Sequence, residues 1–212
     1  MDLILKIIAK IFNSKIILNN PYIHSNCNFK DNSSKIENDR LAMIGDKTVF
    51  YPESEFQNLS NDKSKIVIGK NTHIRGEILA YPYSEKMIIG DNCYVGVNTI
   101  IRCGEFIKIG DNVLIAHNVT IIDSDSHEID AKERADSFIN LIEHGHPLTK
   151  GSVKTSPIVI NDNVWISYNV AILKGVTIGE GAIIAAGSII TKDVPPFTIA
   201  AGNPGKIIKN LK

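Results

Sequence analysis

The sequence predicts an all-β chain wound as a parallel β-helix of hexapeptide units, and two observations predict it. From Ile160 to Ile190 an isoleucine stands at every sixth position: Ile160, Ile166, Ile172, Ile178, Ile184 and Ile190. Four residues after each, the chain reads Val164, Val170, Val176, Ala182, Ser188 and Val194, all small or β-branched. A helix repeats every 3.6 residues and a flat strand every 2. A period of six instead belongs to a ribbon of very short strands turning through corners. Both positions then point inward, the isoleucine filling a face and the smaller residue sitting near a corner.

The same spacing returns upstream. Ile89, Val95 and Ile101 form one set, with Cys93 and Thr99 at the small position, and Ile109, Ile115 and Ile121 form another, with Val113 and Val119. Ile68 and Ile74 start an earlier, less regular set, and Ile44 belongs to another. Three units make one triangular coil, so a step of eighteen residues relates Ile160 to Ile178 and Ile166 to Ile184. From Ile89 to Ile109 the step is twenty, which places a two-residue bulge around Cys103-Gly104-Glu105. Gly-Lys-Asn (69–71), Gly-Asp-Asn (90–92 and 110–112) and Asn-Asp-Asn (161–163) fall where tight corners require positive φ. Each coil buries its apolar surface only against its neighbours, so stability accumulates by stacking.

Composition fits one elongated domain spanning residues 1–212. The chain is 43% apolar and 22% charged, enough to bury a sizeable core. A formal net charge of zero argues against nonspecific nucleic-acid binding. Three cysteines without a CxxC pair point to a reducing, cytoplasmic compartment, and Cys93 reads as core. Residues 1–14 are expected to form a short helix. Within it, residues 1–12 are apolar but interrupted by Asp2, Lys6 and Lys10, and they are shorter than the roughly 20 residues that span a bilayer. They suit a cap on the first coil, or peripheral attachment to the inner face of a membrane. Residues 15–64 are expected to form irregular coils, 65–122 and 158–194 the β-helix, and 195–212 a tail.

The ladder breaks once. After Ile121 it stops, resuming only at Ile158-Val-Ile160, and the segment 123–157 is expected to be a long loop bearing the chemistry. It opens with Asp123-Ser-Asp-Ser-His127 and contains Arg134, His144 and His146, the two histidines reading as solvated. His73, His117, His127, His144 and His146 show no metal-ligand spacing, so no metal is expected.

The stretch from Asn163-Val-Trp-Ile-Ser-Tyr through Gly-Glu-Gly-Ala-Ile-Ile-Ala-Ala-Gly-Ser to Thr191-Lys-Asp-Val-Pro-Pro, ending in Ala201-Gly-Asn-Pro-Gly-Lys206, resembles the hexapeptide-repeat acetyltransferases. Within them it is most similar to the galactoside and maltose acetyltransferases and the O-acetyltransferases of capsules and O-antigens. The resemblance runs from about Ile88 to Lys209. It implies a left-handed coil, a homotrimer with sites between subunits, acetyl-CoA as donor and a carbohydrate acceptor. The implied catalytic base is His127, since acetyl transfer to a hydroxyl needs a proton acceptor and imidazole titrates near neutrality. Asp123, Asp125 or Glu128 could orient its other nitrogen, and His117 is a second candidate, facing the acceptor. On the donor side the resemblance implies contacts from Trp165, Ser167, Ala186, Thr191, Lys192, Lys206 and Lys209, although Lys209 fits a solvated C-terminus equally well. Ser167 replaces the family's usual glycine, and Tyr168 stands where a small residue is common. The implied activity is O-acetylation of a cell-surface polysaccharide or its precursor. The alternative is N-acetylation of an amino-sugar nucleotide or a small xenobiotic.

Overall fold

The computed structural model describes residues 41–211. The expected cap and membrane-contacting stretch in residues 1–14 lie outside them. Among the described residues three sheets form the faces of a prism, holding six, eight and six strands, and successive strands pass from one sheet to the next. Every neighbouring pair is parallel except the tail, where Gly205–Asn210 folds back antiparallel on Thr198–Gly202.

The ladder is the core. Ile109 pairs with Ile160 and Ile160 with Ile178 on the first sheet. Ile115, Ile166 and Ile184 stack on the second, and Ile121, Ile172 and Ile190 on the third. Each is at most 1% exposed, and the small-position residues from Val164 to Val194 are buried beside them. Burial of one isoleucine contributes about 1.5–3 kcal/mol, so repetition of the pattern fixes register as well as stability. Register survives the bulge: Ile89 still pairs with Ile109.

The segment expected to be irregular holds a regular coil in its described part. Met43–Ile44, Val49–Phe50 and Glu55–Asn58 form its three strands, with Ile44, Phe50 and Phe56 turned toward the core. Two aromatic residues in place of isoleucine hide the period there. The Phe50 and Phe56 rings meet edge to face at 5.2 Å.

One corner is held by stacked side chains. Asn71, Asn92, Asn112 and Asn163 all take positive φ, between 54° and 61°, a conformation asparagine tolerates unusually well. Their amides bond in a column, at 3.0, 3.2 and 3.2 Å. Beside them Asp91, Asp111 and Asp162 each accept a backbone N–H from the coil before. This contact explains the glycine that precedes the corner: a Cβ on Gly110 would lie 2.1 Å from the Asp162 carboxylate.

The interruption is not an open loop. Its base closes where Asp125 N–H donates to the Lys154 carbonyl and Ser156 N–H to that of Asp123, both at 2.9 Å. Between these limbs lies a helix, α1 (Ala131–His144). Asp130 caps it through the Glu133 N–H, and Gly145, at φ 82°, ends it. Arg134 braces it, donating to the carbonyls of Glu128 and Ile129 at 2.8 and 3.0 Å. None of its residues is buried, and Phe138, Ile139 and Ile142 are 53%, 54% and 68% exposed.

Candidate active site

Three regions carry the residues of interest. The first is the corner between the third and first sheets, where the ladder breaks. Asp123 follows the strand Thr120–Ile122 and is fully buried. Its carboxylate accepts the N–H groups of Gly104 and Glu105 at 2.6 and 2.8 Å. The two residues added to this corner leave donors without a strand partner, and Asp123 supplies the acceptors. Burial pushes its carboxyl above the usual range, against the opposing pull of the backbone N–H groups. Its oxygens are thus engaged by the bulge rather than by an imidazole. Asp125, also expected as an orienting group, pairs instead with Lys174 from the next coil. Glu128 is nearly buried. His127 is exposed and, among the described residues, its side chain forms no hydrogen bond.

The second region is the corner between the second and third sheets. Backbone bonds from Asn169 to His117 and from Gly187 to Tyr168 place His117, Tyr168 and Ala186 in one column across three coils. The His117 imidazole stacks on the Tyr168 ring, centroids 5.3 Å apart and planes 3° from parallel. Tyr168, which departs from the family's small residue, therefore has a partner that sequence alone does not supply. The two lie fifty-one residues apart, and only the coil register joins them.

The third region runs along the outer surface of the second sheet to the tail. Tyr94, Leu114, Trp165 and Ile183 form one outward column, with Leu114 and Trp165 exposed at 47% and 46%. Ser167 continues from Trp165 and donates its N–H to Ile184. Thr191 and Lys192 are exposed beyond the strand Ile189–Ile190. The tail hairpin reaches back to this end, with Gly202 N–H bonded to Ser188 Oγ at 3.1 Å and Gly205 packed against Ile190. Lys206 and Lys209 are exposed on its outer strand.

One chain does not bring these regions together. His127 leaves from one edge of the third sheet, while His117, Tyr168 and Ala186 occupy the opposite edge. The other described histidines have local partners: Tyr51 for His73 at 3.1 Å, the Tyr81 ring for His146 at 5.4 Å, and Glu143 beside the exposed His144. His146 is thus in contact with the body of the helix rather than wholly solvated. Among the described residues, no three histidine, cysteine or carboxylate groups converge on a point where a metal could sit.

The repeats match two family descriptions. Residues 157–192 match the bacterial transferase hexapeptide (six repeats), and residues 86–122 the hexapeptide repeat of succinyl-transferase. Both stretches of the ladder are thus hexapeptide repeats of the kind found in bacterial transferases. This hexapeptide-repeat chain is 37% identical to the galactoside O-acetyltransferase of Escherichia coli, over 58% of itself and 63% of that protein. It spans less than two thirds of the length of the curated relatives it matches. Among solved structures it superposes on a hexapeptide-repeat-containing acetyltransferase from Vibrio cholerae, complexed with acetyl coenzyme A, with a TM-score of 0.52 and 25% identity. That match covers 87% of this chain and 80% of the other. A mutant of AntD, an N-acyltransferase from Bacillus cereus complexed with dTDP-4-amino-4,6-dideoxyglucose and coenzyme A, gives a TM-score of 0.65 at 19% identity. Coverage there is 85% of this chain and 89% of the other. The fold shared with these proteins is the left-handed parallel β-helix.

Proposed function

We propose that this chain is an acetyl-CoA-dependent O-acetyltransferase acting on a sugar hydroxyl of a cell-surface polysaccharide or its precursor, with His127 as general base. The observation that carries the reading is His127 itself, an exposed imidazole on the one stretch where the ladder opens. Likeness to a galactoside O-acetyltransferase supports a hydroxyl acceptor. The base would take the hydroxyl proton as the oxygen attacks the thioester carbonyl, and hand a proton to the departing thiolate. Acetyl-CoA supplies the activated acetyl group.

The residues present suit that donor. The outward column from Tyr94 to Ile183, exposed at Leu114 and Trp165, offers an apolar rail for a pantetheine arm, with the exposed Ala186 beyond it. Lys192 and Lys206, both exposed, suit phosphates as point charges. Trp165→Ala is expected to raise the KM for acetyl-CoA about ten-fold, the loss of one good apolar contact, with kcat little changed. Steady-state kinetics with varied donor checks this.

A homotrimer fits the separation of the two corners, since a neighbouring copy can bring its donor residues to the His127 edge of the first. It also offers cover for the bare stripe of Phe138, Ile139 and Ile142. A cytoplasmic site of action, where acetyl-CoA and sugar precursors meet, completes the proposal.

The test is transfer from labelled acetyl-CoA to a panel of glycans, polysaccharides and amino-sugar nucleotides. The expected product is an ester, released by mild alkali. Label confined to an alkali-stable amide would turn the assignment to N-acetylation.

A further inference from the structure

The turn that carries His127 is anchored from two directions. Its returning limb holds the main chain, through the Asp125 N–H to Lys154. The next coil holds the side chain. Lys174 follows the strand Ala171–Leu173, and its ammonium meets the Asp125 carboxylate with both side chains about two-thirds covered, at 32% and 31% exposure. Between this anchor and the histidine, Ser126 adopts φ 64°. A serine holds that left-handed conformation only where its surroundings enforce it, and such strain clusters at working sites. The Ser126 N–H meets Ser124 Oγ at 3.3 Å, a long bond that adds little. The enforcement therefore falls to Asp125 and its two partners.

We propose that Lys174 is a positioning residue for the acetyl transfer. Through Asp125 it fixes the Ser126 turn, and so the direction in which the His127 imidazole leaves the helix. This rests on His127 being the general base. It also gives Asp125 a role different from direct contact with the imidazole. Lys174 lies forty-seven residues beyond His127 and on the far side of the insertion, so the pair exists only because the coils stack in register.

The test compares Lys174→Met, Lys174→Arg, Asp125→Asn and the Lys174→Met/Asp125→Asn pair in the full chain, by kcat, KM for acetyl-CoA and thermal midpoint. Misplacement of a catalytic group by about an ångström costs up to roughly 100-fold in rate. Lys174→Met is expected to lower kcat by about 10- to 100-fold, with the donor KM within about two-fold of the wild type and the midpoint nearly unchanged. Arginine should restore most of the rate, and the double variant should be no slower than the slower single one. Wild-type kcat in Lys174→Met, alongside a dead His127→Ala, would overturn the positioning role and leave the base in place. An active His127→Ala would instead remove the reading on which the role depends. Parallel loss of kcat and midpoint without rescue by arginine would reduce the pair to a structural brace, also overturning the proposal.

Discussion

His127→Ala is expected to lower kcat for acetyl transfer by about two to four orders of magnitude, the usual contribution of a positioned general base. A sugar hydroxyl is a poor nucleophile while it keeps its proton, and a thioester carbonyl does not activate it. Three of the other candidate groups are engaged elsewhere. The Asp123 oxygens are held by the Gly104 and Glu105 N–H groups, and Asp125 faces Lys174. His117 is stacked on Tyr168 at the other edge of the third sheet. Because His127 is exposed and makes no hydrogen bond to the rest of the described chain, its loss should leave the thermal midpoint within a degree or two, on the order expected for surface changes. A rate within a few-fold of the wild type would exclude it as the base.

The second large effect concerns stability. Asp123→Ala is expected to cost about 2–4 kcal/mol, because it strands one buried and one part-buried N–H donor and opens a small void. For a chain of this size the midpoint should fall by roughly 5–15 °C, as read by circular dichroism. Asp123→Asn, which keeps the volume and one acceptor, should fall by less. A pH dependence follows from the raised carboxyl. Between the unfolded and folded values the folded state binds more protons, so unfolding free energy declines as pH rises through that interval. The contribution is fully present below the unfolded value and lost above the folded one, and Asp123→Asn should abolish that slope. A midpoint unchanged by alanine would show that the Gly104–Glu105 corner finds its acceptors elsewhere.

These two aspartates and histidines show how far a sequence can be read. The isoleucine ladder was legible because every inward face demands the same residue shape, and the insertion was legible as the place where that demand stops. The coil built on Ile44, Phe50 and Phe56 was not, since phenylalanine fills the same interior without repeating the letter. Helix α1 carried its signals, the Asp130 cap and the stripe of Phe138, Ile139 and Ile142. With no partner for that stripe within the described residues, the pattern gave no reason to favour a helix over a loop. Asp123 and Asp125 were recognisable as acidic neighbours of His127. What engages each of them depends on the extra residues at Gly104–Glu105 and on Lys174 from the following coil. Such partners are set by stacking, and linear spacing does not reveal them.

Whether ladder and interruption divide the labour in this way is read by one titration. Acetyl-CoA affinity is measured by calorimetry on the wild type and on the His127→Ala preparation used for kinetics. If the repeats hold the donor and the interruption holds the base, the Kd stays within about two-fold while turnover is lost. A Kd weakened as far as the rate has fallen would place His127 in donor binding instead of proton transfer.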